Sequence, residues 1–302
     1  MTHHSPIISP DDLFARLGAA DLRIVDVRWV LGSPGAGRLG YEAGHIPGAL
    51  FLDLDTDLAA GDGPGRHPLP DPSVFAARLE RAGIGDGDEV VTYDDVGGWI
   101  AARLWWMLDD LGHDRVRVLD GGLPAWLAAG HPLTTELPAP RPSGHLHLRG
   151  TWANIIDRDA VVDGLGDLVV LDARGVPRYR GEIEPIDPAP GHIPTARSAP
   201  ADGNVGADRR LLPRAALVQR FSALGAAGDA RVVTSCGSGV TACFNSLAMR
   251  AAGLPDPILY PGSYSDWSRA GLPVATGPEP GAWSEQDATP EPAAPLDPGE
   301  SA

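Results

Sequence analysis

Short apolar runs alternate with segments of helical period along most of the chain. Val169-Val170-Leu171 and Val232-Val233-Thr234 are uninterrupted and β-branched, as strands buried on both faces are. Ile100, Leu104, Met107 and Leu111 fall on one face of a predicted helix, and Val240, Phe244, Leu247 and Ala251 on one face of another. Strand–helix alternation of this kind predicts an α/β fold: a parallel sheet with helices on both faces. Ligands of such sheets bind beyond the carboxyl ends of the strands, so a site is expected in the segment after Thr234.

The pattern occurs twice. Ile24-Val-Asp-Val-Arg28 matches Val170-Leu-Asp-Ala-Arg174, and Gly44-His-Ile-Pro-Gly-Ala49 matches Gly191-His-Ile-Pro-Thr-Ala196. Asp88-Glu-Val-Val-Thr-Tyr93 matches Ala230-Arg-Val-Val-Thr-Ser235, and the block closing on Trp126 matches that closing on Trp267. Near-constant spacing over four blocks indicates a duplicated domain. The expected organisation is a first domain over 1–137, a linker over 138–150 and a second domain over 151–276. Residues 277–302 hold six acids, six prolines and no base, which predicts a disordered acidic tail in which only Trp283 could dock. His45 and His192 recur in both halves and are expected to be hydrogen-bonded turn residues. Asp26/Arg28 and Asp172/Arg174 are expected to be strand-end pairs. Gly35-Ala-Gly-Arg-Leu-Gly40 satisfies a dinucleotide-binding string, but Gly44 and Pro47 follow closely, so no long helix is expected there.

Composition narrows the chemistry. All 24 basic residues are Arg against 40 acids, a formal charge of −16. Without Lys there is no Schiff base, no lipoyl or biotinyl attachment and no P-loop cation. The acidic balance argues against nucleic-acid partners, and no stretch approaches 18 apolar residues, so no membrane span is expected. Two cysteines, and a Met1–Pro10 segment without an apolar run, point to a reducing, cytoplasmic setting. Neither a cofactor nor a metal is expected.

The chemistry points to Ser235-Cys236-Gly-Ser-Gly-Val-Thr-Ala242. A cysteine follows a buried strand, glycines Gly237 and Gly239 flank Ser238, and a helix begins near Val240 and Thr241. Inward amides and a helix N-terminus favour a thiolate, the nucleophilic form of cysteine. A Cys-based phosphatase would carry Arg six residues on, where Ala242 stands.

Cys236-Gly-Ser-Gly-Val-Thr-Ala242, with both Gly-His-Ile-Pro motifs and both closing blocks, resembles the tandem-domain 3-mercaptopyruvate and thiosulfate sulfurtransferases of the rhodanese superfamily. The resemblance runs from Asp11 to about Thr276. It implies two rhodanese-like domains, the second active, with sulfur carried as a persulfide on Cys236. It implies a small anionic donor, 3-mercaptopyruvate favoured, and a cyanide or thiol acceptor, thioredoxin among them. The first domain is inactive, with Asp95 read as the residue in place of Cys. The family pattern places one carboxylate-binding Arg at Arg178; the second position is Ile186, with Arg180 the nearest substitute. Ser238 either binds the donor or caps the helix, and Asp57 and His67 are the candidates for a relay with it. The neutral Gly-Ser-Gly loop disfavours thiosulfate. A persulfide carrier that docks through the acidic tail, and redox pairing of Cys236 with Cys243, are the alternatives.

Overall fold

The computed structural model describes residues 5–284. Strands β1 (Ile7–Ile8), β2 (Leu22–Asp26), β3 (Ala49–Phe51), β4 (Glu89–Tyr93) and β5 (Val116–Leu119) form the first sheet, in the order β1-β5-β4-β2-β3. Strands β6 (Val169–Asp172), β7 (Arg197–Ser198), β8 (Val232–Ser235) and β9 (Ile258–Leu259) form the second, in the order β7-β6-β8-β9. Every pairing is parallel. The place that β1 takes in the first sheet is taken in the second by a parallel bridge from Ile155 to Leu259. The central strands β4 and β8 are buried throughout, as their near-continuous apolar sequences require.

The two units meet through the helices that follow β4 and β8, Ala101–Asp110 and Ala242–Ala252. Each buries far more than the single face its sequence pattern predicts. One side packs on its own sheet and the other on the partner unit, so Leu104, Met107 and Leu108 share a core with Val240, Phe244 and Leu247. Arg103 is fully buried in this seam and donates to the carbonyls of Gly239 and His67 at 3.1 and 2.9 Å. Residues 138–150 contain no helix or strand and run along the first unit, Gly144 donating to the Glu80 carbonyl at 3.0 Å.

The repeated histidines do the same work twice. His45 bonds the carbonyls of Tyr41 and Glu136, and His192 those of Tyr179 and Glu279. Each stacks on the preceding tyrosine at 3.9 and 3.8 Å. Asp26 and Asp172 each grip the guanidinium two residues on, at 2.7 Å. The His192 contact corrects the expected boundary at 276. Glu279 is held as Glu136 is, Thr195 donates to the Pro280 carbonyl at 2.6 Å, and Trp283 meets Trp267 edge-on at 5.9 Å. Residues 277–284 therefore belong to the second unit; the rest of the expected tail lies outside the described residues. The expectation that no long helix starts at Gly35–Gly40 holds. An eight-residue helix, Ala36–Ala43, begins inside that string and stops at Gly44. A Cβ at Gly37 would lie 1.7 Å from the Arg28 carbonyl, so glycine serves close backbone packing there.

Candidate active site

Cys236 directly follows β8, and the loop 236–241 leads into helix Ala242–Ala252. The Cys236 sulfur, buried at 3 % exposure, accepts the amides of Gly239 at 3.1 Å and Ser238 at 3.4 Å. That cradle needs Gly239 at φ +76°; a Cβ there would lie 2.4 Å from the Pro261 carbonyl. The floor is the segment after β9. Ser263, at φ +52°, accepts the Cys236 amide and donates to the Tyr260 carbonyl, which holds it in this uncommon conformation. Tyr264 and Ser265 donate to the carbonyls of Cys236 and Gly237, both at 3.0 Å.

The first unit supplies the opposite wall. Ser238 does not cap the helix, whose N-cap is Thr241 without a side-chain bond. Its hydroxyl lies 2.7 Å from His67 Nδ1, and His67 Nε2 lies 3.2 Å from Asp55. Trp29 donates its indole N–H to the other Asp55 oxygen at 2.9 Å and sets its ring edge-on to His67. The carboxylate expected to reach His67, Asp57, is instead turned back to the Asp53 amide at 2.8 Å. Asp53 accepts the amides of Asp55 and Thr56, so these two aspartates build the turn and leave Asp55 for the histidine. Because Asp55 only accepts, His67 carries its proton on Nε2, and Nδ1 accepts from Ser238.

Burial, reinforced by the Arg103 and Arg66 cations, pushes His67 down to about 4, against the pull of Asp55. It is therefore neutral at pH 7. The unfolded histidine titrates near 6.5, so its contribution to stability is complete above that pH. Between about 6.5 and 4 the unfolded chain binds a proton that the folded chain refuses. Stability should accordingly fall by about 1.6 kcal/mol from pH 6.5 to pH 5 on this account alone. Urea unfolding at both pH values, compared with His67→Gln, measures it; an equal fall in the variant would refute the assignment.

Arg178 comes from the short helix after β6 and donates to Glu184 at 2.7 Å and Asp187 at 3.0 Å. Burial alone would raise the Glu184 carboxyl; the Arg178 hydrogen bonds and the Asp187 and Ile186 amides hold it below its usual value. Arg66, which sequence reasoning missed, reaches Asp187 from the first unit. Arg180 points away, exposed beside Glu182 at 3.5 Å. Ile186 offers the site only its backbone amide, bonded to Glu184. Cys236 opens on a cleft of about 230 Å³ between the units, also lined by Trp29, Arg66, Ile100, Arg178 and Ser238. A larger interunit cleft of about 530 Å³, around Asp109 and Arg250, has no cysteine or serine nucleophile beyond the helical Ser246.

Cys243 is fully buried, and burial pushes its thiol up to about 12. Its S–H donates to the Gly239 carbonyl at 3.3 Å, which suits a small core residue and not a resolving thiolate.

In the first unit the matching residue is Asp94, not Asp95. Parallel register pairs Asp26 with Tyr93 as it pairs Asp172 with Ser235, so Asp94 takes the place of Cys236. The Asp94 carboxylate accepts four amides of its own loop, those of Val96, Gly98, Ile100 and Ala101. The nest that cradles sulfur in one unit is filled by a carboxylate in the other, while Asp95 is exposed.

Two parallel-sheet units, one with a cysteine cradled at the strand-to-helix turn and one without, define a tandem-domain protein of the rhodanese type. The rhodanese-like domain model matches residues 9–129 and 155–270, and the chain belongs to that family. It is 47% identical over 280 residues to the Pseudomonas aeruginosa protein named "Probable 3-mercaptopyruvate sulfurtransferase", covering 90% of this chain and 98% of the relative. It is 36% identical over 268 residues to the thiosulfate sulfurtransferase of Azotobacter vinelandii, covering 86% and 93%. Among solved structures, the 3-mercaptopyruvate sulfurtransferase from Leishmania major superposes with a TM-score of 0.78 at 31% identity, covering 88% of this chain and 75% of that one. Like these relatives, the chain is a sulfurtransferase.

Proposed function

We propose that the protein moves the thiol sulfur of 3-mercaptopyruvate, as the outer sulfur of a Cys236 persulfide, to cyanide or a thiol. The observation that carries this reading is the Cys236 sulfur held by two amides in a cleft that also presents Arg178. In the first step the Cys236 thiolate attacks the donor sulfur. An S–S bond forms, the donor C–S bond breaks, and its electron pair leaves on the enolate of pyruvate. The proton Cys236 gave up to solvent balances the one the enolate takes, and Ser238, its hydroxyl set by neutral His67 and Asp55, is the group placed in the cleft to relay it. In the second step a nucleophilic acceptor takes the outer sulfur and returns Cys236 to the thiolate, a ping-pong cycle. The amides of Ser238 and Gly239 serve the anionic sulfur in both steps, as fixed dipoles do where charge resides. Gly237, Val240 and Thr241 complete the loop.

Thiosulfate fits less well. It carries two charges, the loop itself has no cation, and Arg174 and Arg178 are matched by Asp172 and Glu184. Thioredoxin is a fitting acceptor because it presents a low-pKa thiol. No helix among the described residues is long and apolar enough to cross a membrane. Two unpaired cysteines suit work in the reducing cytoplasm. Sulfur transfer to cyanide from each donor, measured on one preparation, should favour 3-mercaptopyruvate in kcat/KM by at least about tenfold, a difference near 1.4 kcal/mol. Preference for thiosulfate would overturn the donor assignment.

A further inference from the structure

We propose that Arg103, a buried arginine of the otherwise inactive first unit, is a positioning residue for sulfur transfer: behind the cysteine loop it holds a positive charge that offsets the anionic sulfur of Cys236. The inference rests on the reading above that Cys236 reacts as a thiolate. Three observations carry it. First, Arg103 is wholly buried, and no carboxylate pairs with it among the described residues. Its hydrogen bonds go to carbonyls, those of Gly239 at 3.1 Å, His67 at 2.9 Å and Leu58 at 3.5 Å, and its Nε has none. Second, two of those carbonyls belong to residues of the site. Gly239 turns its N–H to the Cys236 sulfur and its carbonyl to Arg103, while the His67 ring meets Ser238. Third, the other cations around Cys236 are already matched. Arg66, Arg174 and Arg178 line the cleft and are held by Asp187, Asp172 and Glu184 in turn. Asp202 adds an acid to the cleft, and His67 is neutral at pH 7.

A cation without a partner is expensive to bury, because nothing replaces the water it gives up. The cost falls where an anion shares the same interior, since charges there act more strongly and farther than in water. Burial pushes the Arg103 guanidinium below its usual value; Cys243 and Cys236, in their anionic forms, pull it back. Cys243 does not supply that anion at pH 7, because burial pushes its thiol up to about 12. Cys236 is left as the partner. The offset is mutual, so the same cation favours the nucleophilic form of the cysteine. Arginine suits the place because its fork reaches a carbonyl of each unit at once, fixing the sulfur cradle against the His67 backbone.

The test compares Arg103→Gln with Arg103→Lys. Both side chains are shorter than arginine and both can donate to a carbonyl; only lysine keeps the charge. Near-ultraviolet circular dichroism checks the fold, and Arg103→Met takes the place of Arg103→Gln if the latter does not fold. The readout is the rate at which iodoacetamide, a neutral reagent, alkylates Cys236 at pH 7 and at pH 10, located by peptide mapping. Arg103→Gln is expected to react about tenfold more slowly than the unmodified protein at pH 7. At pH 10 it should come within about twofold, because an ordinary cysteine thiol is ionised there without help. Arg103→Lys should stay within about threefold at both pH values, and kcat for sulfur transfer to cyanide should fall in the order unmodified, Lys, Gln. Equal rates in the two variants at pH 7 would show that the charge has no part, and a slowing that persists in full at pH 10 would show a packing defect alone; either overturns the inference. Alkylation reads the thiolate without a donor, so failure of the donor assignment is told apart from failure of the charge offset.

Discussion

Cys236→Ser is expected to leave a folded protein that transfers no sulfur, with activity down on the order of 10⁴-fold or more. The change removes one polarisable atom at a buried position and keeps a side chain able to accept the Ser238 and Gly239 amides. Stability should therefore move by no more than about 1 kcal/mol. What is lost is the chemistry, because a hydroxyl has no accessible anion near neutral pH and no stable bond to sulfane sulfur. Mass spectrometry of the intact chain after donor treatment should show one added sulfur in the unmodified protein and none in the variant. An added sulfur that persists in Cys236→Ser would move the carrier elsewhere, and Cys243 is the other cysteine in the chain. Its thiol, pushed up by burial and tied to the Gly239 carbonyl, is poorly placed to take over.

The strands, the repeat and the loop at 236–241 were legible because each is a local pattern. β-Branched runs, a glycine on either side of Ser238 and a Gly-His-Ile-Pro turn carry their meaning within six residues. The two units also read correctly as copies, since His45 and His192 occupy one role in one geometry. Misreadings arose where neighbours compete for one role. Asp53, Asp55 and Asp57 share residue type, loop and alternate spacing; only the turn, once formed, decides which carboxylate is spare. Asp94 and Asp95 differ by one residue, and the sheet register separates them. Arg66 was invisible for another reason. Its partner Asp187 is distant in sequence, and nothing in Gly65-Arg66-His67 announces the contact. The second unit's end was misjudged because composition averages over 277–302. The residues up to 284 are held mainly through backbone carbonyls, which any sequence carries.

Gly239 is where fold and chemistry bear on a single atom group. Its N–H points to the Cys236 sulfur, while its carbonyl receives Arg103 and the Cys243 thiol. The peptide can serve both sides because the residue sits at φ +76°, where an L side chain is strained by about 1–2 kcal/mol. In Gly239→Ala the added methyl would also meet the Pro261 carbonyl at 2.4 Å, a backbone atom that cannot swing aside. The loop must then shift, and the amide leaves the sulfur. Loss of one fixed donor to a reacting anion costs about 10²–10³ in rate, so Gly239→Ala is expected to cut kcat by at least about a hundredfold. Strain and the displaced carbonyl together should lower stability by about 2–4 kcal/mol, because buried Arg103 loses an acceptor in the seam. Gly237→Ala separates the two effects. Gly237 is not at positive φ, and its added methyl would press on the ends of two arginine side chains and not on backbone. That variant should raise KM for the donor far more than it lowers stability. If Gly239→Ala kept the unmodified kcat, the amide cradle would have no part in the rate.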